Sequence, residues 1–339
     1  MARFASTPYL DRASQGPIWP LLSTSDKPSE AELADDAAAV CAWLGEARAR
    51  PDEISAPLAA RVFDLYLPVF YWCRGVVAGG AGAPAVVFVS APQGCGKTTL
   101  CDALVELFRS KGKAGAALSY DDFYLTHAEQ QSVAAGGDRL LEFRGSAGTH
   151  DVALGVETLR ALKATGKADA PRYDKKAFGG RGDRAGLYPA AARDFLLVEG
   201  WMAGFKPVAS RVDGAEGVTV ASTQVGAAAA TAVDADLGAV DACLGAYARW
   251  DAHADAWLVV AIESPADTVY GWRREAERRA GGGLSDEQVR DFVGRFLPSY
   301  EAYCPALYAA AAGGGVDAKP TLRLDVDTTR SPVGAVRGG

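Results

Sequence analysis

Histidine is scarce, with three in 339 residues, and the six cysteines (41, 73, 95, 101, 243 and 304) form no C-x-x-C pair. Zinc centres draw on closely spaced Cys and His, so none is expected, and scattered thiols fit a reducing compartment. Positive charge is also in deficit: 35 Lys and Arg against 42 Asp and Glu leave a net charge of −7. That balance argues against nucleic acid or an anionic membrane surface as the main partner. No apolar run approaches the about 20 residues of a membrane span. The N-terminus, "MARFASTPYLDRASQG", lacks the apolar core of a secretion signal. Its Arg3, Arg12 and hydroxyl residues are also features of organelle transit peptides, without deciding the point.

What is present reads as an ordinary globular chain: 49% hydrophobic and 23% charged residues leave enough apolar surface for a core and too little charge for disorder. "SEAELADDAAAVCAWLGEARAR" has Ser29 and Glu32 spaced as a capping box before a helical pattern. "PLAARVFDLYLPVFYWCRGVV" is expected as a second helix that bends near Pro68. Strands are expected at "AVVFVSA" (85–91), "GAALSY" (115–120), "DFLLVEG" (194–200), "AWLVVAIE" (256–263) and "TLRLDVD" (321–327). Helical stretches separate them, so the fold class is α/β, a parallel sheet flanked by helices. Residues 209–233 are rich in Ala, Gly and Val without a period, and are taken as a loop or insertion.

The chemistry starts at "SAPQGCGKTTL", residues 90–100, between the first of these strands and a helix. This is the context of a phosphate loop, in which converging backbone N–H groups and a helix N-terminus hold polyphosphate. Ala91 stands where the pattern G-x-x-x-x-G-K-[ST] has its first glycine, which costs little if its φ is negative. Gly94, Cys95, Gly96, Lys97, Thr98 and Thr99 are the expected ATP ligands, with Lys97 on the β- and γ-phosphates and Thr98 on Mg²⁺. Cys95 lies at a helix N-terminus, which can lower a thiol's pKa and make it oxidisable; a small neutral loop residue is the simpler reading.

"LSYDDFYLT" (118–126) follows the next strand, whose end points into the ligand crevice of an open parallel sheet. A carboxylate there can take the proton of an attacking hydroxyl, or can be a turn residue. Glu199 closes an apolar strand and could orient Mg²⁺ or contact substrate. "FRGSAGTHD" (143–151) and "PRYDKKAFGGRGDR" (171–184) supply Arg144, Thr149, His150, Arg172, Tyr173, Lys175, Arg181 and Arg184, cations and donors suited to an anionic acceptor. Asp151 is expected to cap the helix that follows.

The phosphate loop followed by D-x-F-Y resembles the P-loop kinases that act on small-molecule hydroxyls, the uridine kinase, phosphoribulokinase and pantothenate kinase group. Together with "LLVEGWMAGF" (196–205), "VYGWRREAE" (269–277) and "LSDEQVRDFVGRFLPSYEAYCPALY" (284–308), the pattern over roughly residues 60–330 is similar to the plant-type D-glycerate 3-kinases. The resemblance implies Asp121 as the base, Asp122 near the metal's water shell, Tyr124 at the substrate, and a lid whose Arg273 and Arg274 cover the phosphates. It implies ATP and Mg²⁺ as cofactors, D-glycerate as substrate and partner, and photorespiratory glycerate recovery. The compartment would be the chloroplast stroma in a photosynthetic eukaryote and the cytoplasm otherwise. The expected organisation is an N-terminal arm with helices over 1–80, a kinase domain over 81–330 with a lid at about 270–295, and a tail over 331–339. Other small-molecule kinases of the uridine, pantothenate or ribulose-phosphate type stay open at this point, as does a regulatory ATPase.

Overall fold

The computed structural model describes residues 8–80, 84–208, 220–221, 230–231, 235–279 and 284–339. Before the sheet come α1 (Pro8–Ala13), α2 (Glu30–Trp43), α3 (Ala56–Ala60) and α4 (Leu67–Ala78). Ser29 caps α2, accepting from the Glu32 N–H at 3.2 Å, but Glu32 pairs with Arg74 rather than completing the box. A π-helical turn, Arg61–Tyr66, joins α3 to α4 just ahead of Pro68. Proline has no N–H to donate back, so the helix widens where the sequence led us to expect a bend.

The core follows: β1 (Ala85–Ser90), α5 (Lys97–Ser110), β2 (Gly115–Ser119), α6 (His127–Ala134) and α7 (Val152–Thr165). Then come β3 (Lys167–Asp174), β4 (Asp183–Ala191), β5 (Phe195–Gly200) and a two-residue ladder, β6 (Val220–Ala221) with β7 (Ala230–Thr231). The chain closes with α8 (Ala235–Asp251), β8 (Ala256–Ala261), α9 (Pro265–Arg279), α10 (Asp286–Gly294), α11 (Leu297–Ala312), β9 (Thr321–Val326) and β10 (Pro332–Gly338). Apart from β6 and β7, the insertion expected at 209–233 lies outside the described residues, as do the glycines at 281–283 and the first seven residues.

The main sheet has the order β10-β9-β8-β1-β5-β2. All its strands but β10 run parallel, and β1, β5 and β8 are buried along their whole length, as near-continuous apolar runs require. All five expected strands are present. Residues 331–339, expected as a tail, instead contain β10, which pairs antiparallel with β9. The N-terminal helices join the same core. Phe70 of α4 meets Phe108 of α5 edge-on at 4.9 Å, and Phe108 meets Phe195 of β5 at 4.2 Å. Truncating Phe108 to alanine would cost about 3–5 kcal/mol.

Register positions the site. Glu199 pairs with Val89 on one side and Ser119 on the other, so β1, β5 and β2 end level with one another. The phosphate loop, Glu199 and the 120–124 turn therefore converge at the carboxyl ends of these strands.

Beside those strand ends lies the β3–β4 hairpin, which was not evident beforehand. Its strands are largely exposed, so no apolar alternation marks them, and Pro171 and Pro189 interrupt the pattern. Asp183 accepts from the His127 N–H at 2.9 Å, and Arg184 donates to the Tyr124 carbonyl at 3.2 Å, docking the hairpin on the turn after β2.

Candidate active site

The residues 91–96 turn the chain from a buried strand into the amphipathic helix α5. Ala91 is buried with φ outside the left-handed region, and its N–H donates to the Gly200 carbonyl at 3.3 Å, so the missing glycine carries no strain. Gly94 and Gly96 do need to be glycine, with φ of +83° and +90°. A Cβ on Gly94 would also lie 2.8 Å from the Trp272 Cβ. The loop is braced from α11 as well, where the Tyr300 hydroxyl accepts the Gln93 N–H at 2.9 Å.

Lys97 and Thr98 open α5 and both face Glu199. The Thr98 hydroxyl donates to Glu199 Oε1 at 2.9 Å, and Lys97 Nζ lies 3.9 Å from Oε2. Burial opposes the charge on Lys97, but Glu199 together with Cys95, Asp121 and Cys101 outweighs it and raises the lysine pKa. Glu199 Oε2 is buried and accepts no hydrogen bond among the described residues. An orphaned carboxylate oxygen next to a threonine hydroxyl fits a hard divalent cation. Among the described residues no group of three or more His, Cys, Asp or Glu could hold a metal alone, so the remaining ligands would be phosphate and water. Burial pushes the Cys95 thiol up despite neighbouring Lys97, which favours the small neutral loop residue over an oxidisable thiolate.

Asp121 follows β2 in a short 3₁₀ turn capped by the Ser119 hydroxyl, which accepts the Asp121 N–H at 3.2 Å. The Tyr124 hydroxyl donates to Oδ1 at 2.8 Å and Lys175 donates to Oδ2 at 2.6 Å. Burial would raise this carboxyl, but the Lys175 and Lys97 charges and the two hydrogen bonds bring it down to about 2. Arg172 takes Asp122 Oδ2 at 2.6 Å, delivered across a bulge between Arg172 and Tyr173. Burial dominates there and raises the Asp122 pKa in spite of Arg172. Asp122 is thus engaged by the hairpin.

Tyr124 stacks on His150 at 4.5 Å and meets Tyr173 edge-on at 5.2 Å. His150 Nδ1 shares a 2.7 Å hydrogen bond with the Tyr247 hydroxyl, while its Nε2 is buried without a partner among the described residues. Desolvation lowers the imidazole pKa to about 4, so the ring is neutral. Asp151 caps α7 as expected, accepting from the Leu154 N–H at 3.0 Å, and Arg184 binds its other oxygen at 3.3 Å. Thr149 is buried and shapes the 145–149 turn, accepting the Gly145 N–H at 3.0 Å.

Two expected substrate ligands are engaged with the hairpin, and Arg144 also lies over the Tyr173 ring at 5.5 Å. Arg144 donates to the Gly180 carbonyl at 2.8 Å and to that of Arg181, bracing the hairpin tip, and Arg181 lies over the Phe143 ring at 4.5 Å. Both line a cavity of about 400 Å³ with His127, Gln130, Phe143 and Phe178. A larger cavity of about 640 Å³ lies by Ala85, Asp255 and Pro320, at the opposite ends of the strands, and is no part of this site.

The lid arginines make their contacts within the lid, Arg273 in the i,i+4 pair that its helix also offered. Arg273 is paired with Glu277 one turn on and covers the Phe292 ring of α10 at 4.5 Å. Arg274 pairs with Asp286 at 2.8 Å. These contacts knit α9 to α10 and do not reach the phosphate loop. The arginine that does reach it, Arg330, lies in the turn between β9 and β10, with Nε donating to the Gly94 carbonyl at 2.8 Å. Neither Arg330 nor Tyr300 was expected at the site. One signal was available for Arg330: the turn after a parallel strand opens on the ligand crevice.

No family model matches the chain. It is 42% identical over 304 residues to the chloroplastic D-glycerate 3-kinase of Arabidopsis thaliana, covering 83% of this chain and 62% of that protein. The chain thus spans less than two thirds of that relative. It is 30% identical over 289 residues to a probable ATP-dependent kinase of Saccharomyces cerevisiae, covering 79% of this chain and 91% of the yeast protein. The solved D-glycerate 3-kinase from Cryptococcus neoformans is similar with a TM-score of 0.62 and 27% identity, over 79% of this chain and 98% of that one.

Proposed function

The chain belongs to the family of P-loop kinases that includes the D-glycerate 3-kinases, and from that premise we propose that it phosphorylates D-glycerate to 3-phospho-D-glycerate with ATP. The observation that carries this reading is the meeting of Lys97, Glu199 and Asp121 at the level ends of three neighbouring strands, with Lys175 2.6 Å from Asp121.

Transfer is direct. The acceptor hydroxyl attacks the γ-phosphorus in line, the bond to the ADP oxygen breaks, and the hydroxyl proton passes to Asp121. With its carboxyl at about 2, Asp121 is a weak base. That suits a loose transition state in which the hydroxyl gives up its proton late, while Asp121 orients it from the start. Lys97 neutralises the β- and γ-phosphates from the loop side. Lys175 and Arg172, next to Asp121 and Asp122, supply positive charge for a carboxylate acceptor. His150 is the neutral polar group in the buried wall behind Tyr124. Thr98 and Glu199 would hold Mg²⁺, which would supply charge neutralisation of the β- and γ-oxygens.

Release of ADP by the purified protein with Mg²⁺ and ATP should depend strongly on D-glycerate, with phosphorus NMR placing the product phosphate on C3. Release unchanged by glycerate would remove this reading. Chelation of divalent cations should abolish transfer, and Mg²⁺ should restore it. The same reading assigns the protein to photorespiratory glycerate recovery in the chloroplast of a photosynthetic eukaryote, or otherwise to the cytoplasm, which fractionation would check. Among the described residues no helix is long and apolar enough to cross a membrane.

A further inference from the structure

The β9–β10 turn is built to hold one side chain in place. Asp327 Oδ1 accepts the N–H groups of Thr329 at 2.8 Å and Ser331 at 2.9 Å, and the Arg330 N–H donates to the Asp327 carbonyl at 2.9 Å. Arg330 adopts φ +68°, a left-handed conformation that costs any non-glycine residue stability and persists only where surroundings enforce it. Its guanidinium makes three contacts. Nε donates to the Gly94 carbonyl at 2.8 Å, Nη1 pairs with Glu275 of α9 at 2.7 Å, and the plane lies 5.0 Å from the Trp272 ring centre. Trp272 is itself tied to the turn, its indole N–H donating to the Thr328 carbonyl at 2.7 Å, and its Cβ abuts Gly94.

We infer that Arg330 is a positioning residue that latches the phosphate loop to the base of the lid helix α9. In a planar trans peptide the carbonyl and the next N–H point in opposite directions. Anchoring the Gly94 oxygen on Arg330 therefore keeps the Cys95 N–H turned the other way, where it donates to the Pro92 carbonyl at 3.3 Å across the loop, and keeps a carbonyl dipole from facing the phosphates. Because the same guanidinium pairs with Glu275 and covers Trp272, the loop's conformation and the lid's base are set together. Occupation of the loop by phosphates is then transmitted to α9 without an arginine of α9 touching them. Arg330 acts through Gly94, Glu275 and Trp272 and does not contact the acceptor.

The inference rests on the loop being the ATP site, so the first measurement is ADP binding by the wild-type protein with Mg²⁺. No binding would sink that reading of the site and this inference with it. Given binding, Arg330→Ala should weaken ADP and raise the KM for ATP by about tenfold or more, the loss expected for a charged hydrogen bond. The KM for D-glycerate should stay within about twofold. Nucleotide should also protect the exposed Arg278 and Arg279 on α9 from trypsin in the wild type and no longer do so in the variant. A purely structural role would lower Tm and shift both KM values alike. Unchanged ADP affinity and retained protection in Arg330→Ala would overturn the latch while leaving the ATP site intact. If Arg330→Ala does not fold, Arg330→Lys keeps the charge beside Glu275 without the planar fork. It should still raise the KM for ATP by about threefold over that for glycerate, and equal KM values with wild type would overturn the inference.

Discussion

Two basic clusters look alike in the sequence, and the fold uses them oppositely. The hairpin cations Arg172 and Lys175 reach carboxylates 50 and 54 residues away, Asp122 and Asp121, at the level ends of the sheet. The lid cations Arg273 and Arg279 take carboxylates four residues away on their own helix, and Arg274 ties α9 to α10. Arginine density alone therefore does not locate an anion site. What separates the clusters is backbone geometry: on α9 Glu277 and Glu275 stand one helical turn from Arg273 and Arg279, so those pairs close locally. On the hairpin no helical turn brings such partners together, and the cations reach across to the turn after β2.

The largest effect should fall on the hairpin side. Asp121→Asn should lower transfer by about 10² to 10⁴ while ADP still binds, measured by steady-state kinetics beside a binding titration. Full activity would remove Asp121 from the chemistry. Arg273→Ala tests the opposite cluster. If Arg273 keeps its contacts to Glu277 and Phe292, the loss in kcat stays below the about 10² expected for a group that touches developing charge. A larger loss would mean that the lid arginines leave their partners on closing, and the contrast between the clusters would fail.

Lys175→Met should raise the KM for D-glycerate by about tenfold with ATP affinity unmoved, since one charge-assisted contact to the acceptor is lost. An equal rise in the KM for ATP would place Lys175 with the nucleotide instead. The smallest effect concerns stability. His150 has its pKa lowered from 6.5 to about 4 by desolvation, so the unfolded chain binds the extra proton between those values. Stability from this group is complete above about pH 6.5 and lost as pH falls toward 4. Tm measured across that window should decline in the wild type and decline less in His150→Gln. Parallel declines would show that the proton goes elsewhere.

Much of this was legible beforehand because it is local. The β-branched run 85–90, the glycines at φ +83° and +90° and the amphipathic α5 form one contiguous unit, and the anion-binding geometry follows from backbone alone. Asp121 and Glu199 were readable for a related reason: each ends an apolar strand, and strand ends of a parallel sheet share one crevice. The hairpin was not readable, since its exposed strands carry no burial pattern. Nor was the edge strand β10, whose short run after Arg330 looked like a tail.

The sequence by itself determined the fold class, the phosphate loop and the carboxylates at the strand ends, because propensity, hydrophobic period and turn chemistry act over a few residues. Only the tertiary structure decided which cation meets which anion. Arg330 reaches Gly94 across 236 residues, and Thr98 meets Glu199 across 101. Such contacts depend on strand order and register, which no local pattern encodes, and the energy of an ion pair depends on separation in space and burial, not on distance along the chain.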